Sequence, residues 1–205
     1  MAGCSTDLEA PPDASATAPL SVRDRLANET FLDVAPASSA GGVTAEKRAS
    51  DGWTSADVVL AVDSGMLAVK RTATGDISLD ALSIDFAPVA LPPSVLGQPA
   101  TLSGLSVSIA GAVEMPVTWT DDDHASIAAS VDLDLSWTLM LDGDSLPLGS
   151  PHLTGIPVTI QLAGDGSSVS AAVSATAMGE LWSWASLVKL EDLELTVLAK
   201  EAPTD

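Results

Sequence analysis

Between Ser126 and Met140 every second residue is apolar: Ile127, Ala129, Val131, Leu133, Leu135, Trp137 and Leu139, with Leu141 next in line. The positions between them hold Ala128, Ser130, Asp132, Asp134, Ser136, Thr138 and Met140. A period of two sends the first set to one face of an extended chain and the second to the other. The segment is therefore a strand with one buried face. At roughly 3.3 Å per residue it spans about 50 Å, well beyond the usual strand of about 5–6 residues. Such a strand either bends at a bulge and serves two sheets, or belongs to one elongated, curved sheet.

The same period recurs along the chain. "DVVLAVDSGMLAVKR" turns around Asp63-Ser64-Gly65. "DISLDALSIDF" aligns Ile77 and Leu79, then Leu82, Ile84 and Phe86, and the phase slip at Ala81 predicts a bulge. Leu105, Val107 and Ile109 share a face, as do Val113, Met115, Val117 and Trp119. "PVTIQLAG", "SVSAAVSATA" and "DLELTVLAK" follow, set apart by Gly-Asp-Gly, Asp-Gly-Asp and Pro-Pro turn signals. One apolar and one polar face mean antiparallel pairing with one side covered. The fold class is all-β: an antiparallel sandwich, a barrel or an elongated curved sheet with long amphipathic strands and little helix. An up-and-down order gathers the turns Thr72–Asp76, Asp121–His124 and Gly164–Ser167 at one end. It gathers 88–99, 142–152 and 178–187 at the other.

Residues 1–20 are rich in Ala, Pro, Ser, Thr and Asp without periodicity, which reads as a tether. A short helix over 21–33 has Ser21 as its cap, and 36–52 returns to linker composition. On this reading 1–52 is a flexible N-terminal tether and 53–201 the β domain. No run of about 18 apolar residues is present to span a membrane as a helix. Net charge is −20, from 28 acids against 8 bases. That field repels nucleic acid and anionic lipid headgroups, so nucleic-acid binding is excluded. Twenty of the acids are Asp, which suits turns and strand surfaces. The acidity is also compatible with a calcium-rich or saline exterior. The single cysteine, Cys4, excludes an internal disulfide and a cysteine-based zinc site.

Few residue groups carry chemistry. Asp121 and Asp123, with Asp165 approaching from a neighbouring turn, are the one carboxylate set suited to Ca²⁺; no other cofactor is implied. Against it, consecutive hairpin residues diverge, and no spaced D-x-D-x-D-G loop with a closing Glu follows. The alternative is a solvated turn. Gly143-Asp144-Ser145-Leu146 matches the tetrapeptide that names a class of lipases and esterases, but Pro147 stands where that family starts a helix. The only D-x-x-H, Asp121 to His124, precedes the serine across a long strand, and His152 has no acid at a suitable spacing. A serine nucleophile needs a base within about 3 Å, so this tetrapeptide reads as a hairpin turn. No catalytic residue is assigned. Trp182 and Trp184, two apart, suit either an apolar contact or a plug for an open sheet end. With Val131, Leu133, Leu135, Trp137 and Leu139 they form the candidate lining of an apolar ligand site.

Ala2-Gly3-Cys4 followed by Ser5 resembles the lipobox of bacterial lipoproteins, with Met1 where that family prefers Leu. The resemblance implies lipidation at Cys4 and a membrane-tethered, extracytoplasmic protein, the alternative being a soluble cytoplasmic one. Residues 133–198 resemble, more faintly, the late-embryogenesis-abundant type 2 (water-stress) β-sandwich, without its Asn-Pro-Asn turn. The strand length is similar to that of lipid-binding tubular proteins. The expectation is a non-enzymatic extracytoplasmic β domain that holds a lipid or apolar small molecule between curved sheets. The alternative is a solid scaffold, adhesion or protein-interaction module with a protein partner, and a hydrolase ranks third.

Overall fold

The computed structural model describes residues 19–50, 52–147, 149–184 and 188–202, with the side chains at 96, 147 and 184 outside that set. Among them, thirteen strands join into one antiparallel sheet. Eight are long: β2 (Ala40–Ala49), β3 (Gly52–Arg71), β4 (Ile77–Phe86), β6 (Ala100–Ile109), β9 (His124–Leu141), β11 (His152–Gly164), β12 (Val169–Trp184) and β13 (Val188–Glu201). Each pairs with the next in chain order, and β13 pairs back onto β2. The sheet is thus a closed, eight-staved, up-and-down barrel. Closure removes the exposed edges that an open sheet would have to protect.

Five short strands prolong these staves. β1 (Thr30–Val34) lies between β3 and β13 beyond the start of β2. β5 (Val89–Leu91) and β10 (Asp144–Pro147) extend the wall at one end. β7 (Val113–Met115) and β8 (Val117–Trp119) extend it at the other. The connections predicted at 72–76, 121–124 and 164–167 fall at one end and those at 88–99 and 142–152 at the other. Of the turn expected over 178–187, however, residues 178–184 continue β12. Of the forms compatible with the alternation, the single curved sheet is the one adopted, and β9 runs its whole length within it. Inward side chains form one apolar core. The outward face carries Asp57, Asp63, Asp85, Asp132, Asp134 and Glu194. A wall turned to lipid has an apolar outer band, so this wall is turned to water. Among the described residues, no helix is long and apolar enough to cross a membrane.

The domain boundary expected at residue 53 is corrected. Residues 30–49 are the first stave, and without them the ring is open. The composition of "PASSAGGVTAEKRASDG" resembles a linker for a steric reason. A Cβ on Gly41 would stand 2.9 Å from Phe86 Cε1 and 3.2 Å from Leu195 Cδ2, so the wall is too tight there for a side chain. The helix is also shorter than expected. It is α1 (Val22–Arg25), whose first turn is capped by Ser21 Oγ accepting the Asp24 N–H at 3.2 Å. From Thr30 the period becomes two, which turns Leu32 inward and leaves Phe31 outside. Val22 and Leu26 are fully buried and close one end of the barrel. At the other end α2 (Pro93–Leu96) contributes the buried Val95.

The bulge predicted near Ala81 is present: Ala68 faces Ala81 and Val69 faces Leu79, which leaves Asp80 as the extra residue. The bulge turns its carboxylate toward Lys70 and Ser78. Hydrogen bonds from Lys70 first, then Ser78, hold the Asp80 carboxyl below the usual range, and Asp80 in turn raises Lys70.

Two predictions follow from these contacts. Gly41→Ala costs about 1–3 kcal/mol in urea unfolding, and pairing it with Phe86→Leu costs less than the sum of the two single changes. Asp80 has a folded-state pKa below its unfolded value, so its contribution is full at neutral pH and is lost as pH falls through the folded value. Asp80→Asn therefore lowers Tm at neutral pH, and its gap to the parent protein narrows below about pH 4, as thermal melts down to about pH 3 would show.

Candidate functional site

On β9 the inward residues Val131, Leu133, Leu135, Trp137 and Leu139 are each 1–3% exposed. A void able to hold a ligand leaves accessible area on the side chains around it. These faces are instead covered by protein atoms of one core, where Leu135 stands beside Val107, Leu139 beside Leu102, and Val131 beside Ile156. An eight-stranded barrel is wide enough either to be filled by its own side chains or to hold one small ligand. The near-complete burial of these side chains corresponds to filling. The expected ligand lining is corrected to core packing at these five positions. Trp182 is half-buried against the same core, and the Trp184 side chain lies outside the described set. The Trp137 indole N–H finds no acceptor among the described residues, nor does that of Trp119.

The expected carboxylate set is divided among separate turns. Asp121 Oδ1 accepts the Asp123 N–H at 2.8 Å and meets His124 Nδ1 at 2.9 Å. The His124 contact first, then the Asp123 amide, lowers its pKa. Asp123 Oδ1 accepts the Val22 N–H at 3.1 Å, while its carbonyl accepts the Gly164 N–H at 3.0 Å. Asp165 Oδ1 accepts the Ser167 N–H at 2.9 Å and the Ser168 N–H at 2.8 Å. The Ser167 hydroxyl, followed by these amides, holds the Asp165 carboxyl far below the usual range. Among the described residues no three His, Cys, Asp or Glu side chains are grouped to hold a metal ion. The three acids orient turns and anchor α1, because successive turn residues point apart. Asp122 joins that anchor through Arg23 at 3.3 Å, and Arg23 lies 5.5 Å over the Trp119 ring.

One polar pair was not legible in the sequence. His152 Nδ1 lies 2.7 Å from Asp134 Oδ1 on the outer wall. Its acid is eighteen positions away in sequence but directly opposite in register. Ser145 is opposite Met140, six residues along β9 from Asp134, and so about 20 Å away. The Gly-Asp-Ser-Leu segment opens β10 as a hairpin and joins no Ser–His–Asp arrangement. Cys4 lies outside the described residues.

Among the described residues, one of the outer depressions joins two highly exposed apolar side chains to three acids. Gly42 forms its floor, facing Val59 on β3 and Glu194 on β13. Val59 and Met178 rise beside it, 73% and 77% exposed. Asp57, Asp192 and Glu194 complete a groove of about 340 Å³. A bulge shapes its far side: Ala177 faces Leu193, but the next pair is Glu180 with Glu191. Gly179 (φ 100°) and Asp192 (φ 53°) take left-handed backbone there, and Asp192 Oδ1 accepts the Gly179 N–H at 2.6 Å. Met178 keeps the outward phase of Ser174 and Thr176, and the bulge breaks the period of two just after it. The sequence did not mark this groove: Gly41-Gly42 stood in a segment that reads as linker, and Met178-Gly179 in one that reads as a turn.

No family model matches the chain, and no curated protein matches it. Among solved structures it is similar to the crystal structure of Ail, the attachment invasion locus protein of Yersinia pestis. The two are 8% identical, with a TM-score of 0.40 over 84% of this chain and 97% of the other. A likeness at that level carries no functional argument.

The core reading predicts different outcomes for two substitutions at one position. Trp137→Phe removes an unpaired donor and keeps most of the packing, so stability changes by only about 1 kcal/mol. Trp137→Ala leaves a cavity and costs about 3–5 kcal/mol, measured by urea denaturation.

Proposed function

We propose that this protein is a non-enzymatic barrel scaffold that binds a protein partner through its outer wall. The observation that carries the reading is the filled interior. With Val131 to Leu139 covered and Val22 and Leu26 seated in one end, the described packing leaves the outer face as the surface on offer. On that face the groove at Gly42 joins exposed apolar groups to carboxylates. The filled interior weighs against the apolar-ligand reading. The placement of Ser145 away from His152 and Asp134 weighs against a hydrolase.

The location we infer is extracytoplasmic, with the barrel held at a membrane by a lipid on Cys4. Ala2-Gly3-Cys4-Ser5 and the apolar-poor stretch to residue 18 support it. The described chain enters the barrel at the end closed by α1.

Native mass spectrometry of protein isolated from its host tests the scaffold reading, together with photo-cross-linkers placed in turn at Val59 and Leu133. The expected mass carries no amphiphile beyond any on Cys4, and the cross-linker at Val59 alone yields a protein adduct. A co-purified lipid that cross-links from Leu133 would overturn the reading.

A further inference from the structure

We propose that the groove at Gly42 takes a basic, partly apolar segment of a partner protein, with a Lys or Arg side chain laid across Val59 and Met178. This rests on the scaffold reading and adds the chemistry of the partner. Val59 and Met178 are among the most exposed large apolar residues described, and both border the same depression. They sit on a wall whose outward positions are otherwise mostly Ser, Thr, Ala and Asp. Methionine adapts its shape to different contacts, which suits it to such a surface.

Charge selects the occupant. Asp57, Asp192 and Glu194 border the groove, and among the described residues none of the three forms a salt bridge. Lys189, on the same strand as Glu194, is already engaged by Glu180 and Glu191, each at 3.4 Å, and lies 4.6 Å over Trp53. A bare cation would satisfy the carboxylates and leave the two apolar side chains in water. A long basic side chain does both, because its aliphatic stem lies on apolar surface while its charged head reaches the acids. A second copy of this chain, at −20, is repelled. Residues 1–18 contain Asp7, Glu9 and Asp13 with no Lys or Arg, so the chain's own N-terminal segment lacks the complementary charge.

The test is fluorescence anisotropy with a labelled, amidated Lys-Leu-Arg-Leu-Lys-Ser peptide. The comparison peptides are Lys-Ser-Arg-Ser-Lys-Ser and Glu-Leu-Glu-Leu-Glu-Ser. The first is expected to bind best, more weakly at high salt, and the acidic peptide not at all. Asp57→Asn with Glu194→Gln lowers affinity about tenfold, while Asp63→Asn with Asp144→Asn, away from the groove, lowers it less than about twofold. Val59→Ser with Met178→Ser brings the Leu peptide down to the affinity of the Ser peptide. Circular dichroism and melting confirm that each variant is folded, and Asp192 is left intact because it holds the bulge. Equal losses from the two acid pairs would reduce the effect to general charge and overturn the proposal. So would unchanged binding by the Val59/Met178 variant. If Val59 cross-links a partner while the basic peptide fails to bind, the scaffold stands and the proposed partner chemistry falls.

Discussion

The backbone ladder between the first stave and the last is the interaction on which the rest of this structure depends. Thr44 to Lys47 pair with Glu191 to Val188 on one side and with Asp57 to Thr54 on the other. Beyond the start of β2, β1 bridges the same two neighbours. Without this stave β3 and β13 would both be long edge strands, each a template for pairing with another chain. Closure also bends the sheet until its apolar face is enclosed, and that is how strict alternation becomes a buried core.

Filling that core decides where binding is left to occur. Leu, Val, Ile and Ala side chains from all eight staves meet inside, with Trp137 and Phe86 among the few large rings. Val22 and Leu26 then occupy one end. The interior is used up by its own side chains, so the chemistry available to a partner is what the outer face displays. Most of that display is Ser, Thr and Asp, with a few exposed apolar exceptions such as Val59 and Met178. The Asp80 bulge brings a carboxylate to Lys70, and the Gly179–Asp192 bulge borders the groove that Met178 shares with Gly42. A non-glycine residue in left-handed backbone, as at Asp192, costs of order 1 kcal/mol or more, offset here by the bond from its own side chain to Gly179.

Much of the fold was legible because its signal is local. The period of two marks the long strands from β3 onward, and the phase slip at Ala81 marks the Asp80 bulge. But Asp63-Ser64-Gly65, read as a turn, lies inside the continuous β3 at a register shift, and 178–184, also read as turn, continue β12. The first stave was not legible. Only Val43 and Ala45 of β2 are buried, and Gly41 is there because Phe86 and Leu195 crowd it. Nothing near Gly41 in sequence announces a residue forty-five positions on. The pairing of His152 with Asp134 depends on register in the same way. At the turns, the sequence showed a cluster of acids, but whether Asp121, Asp123 and Asp165 converge or diverge is a matter of direction that composition does not carry.

The sequence by itself determined that this chain is an antiparallel all-β protein with one apolar face per strand, acidic outside and unsuited to nucleic acid. Side-chain period and net charge are properties of the chain before it folds. Only the tertiary structure decided that the sheet closes, that its interior is filled, and that a Gly, a Val, a Met and three acids from four strands share one groove. Those are distances between residues far apart in sequence, set by register and by closure of the ring.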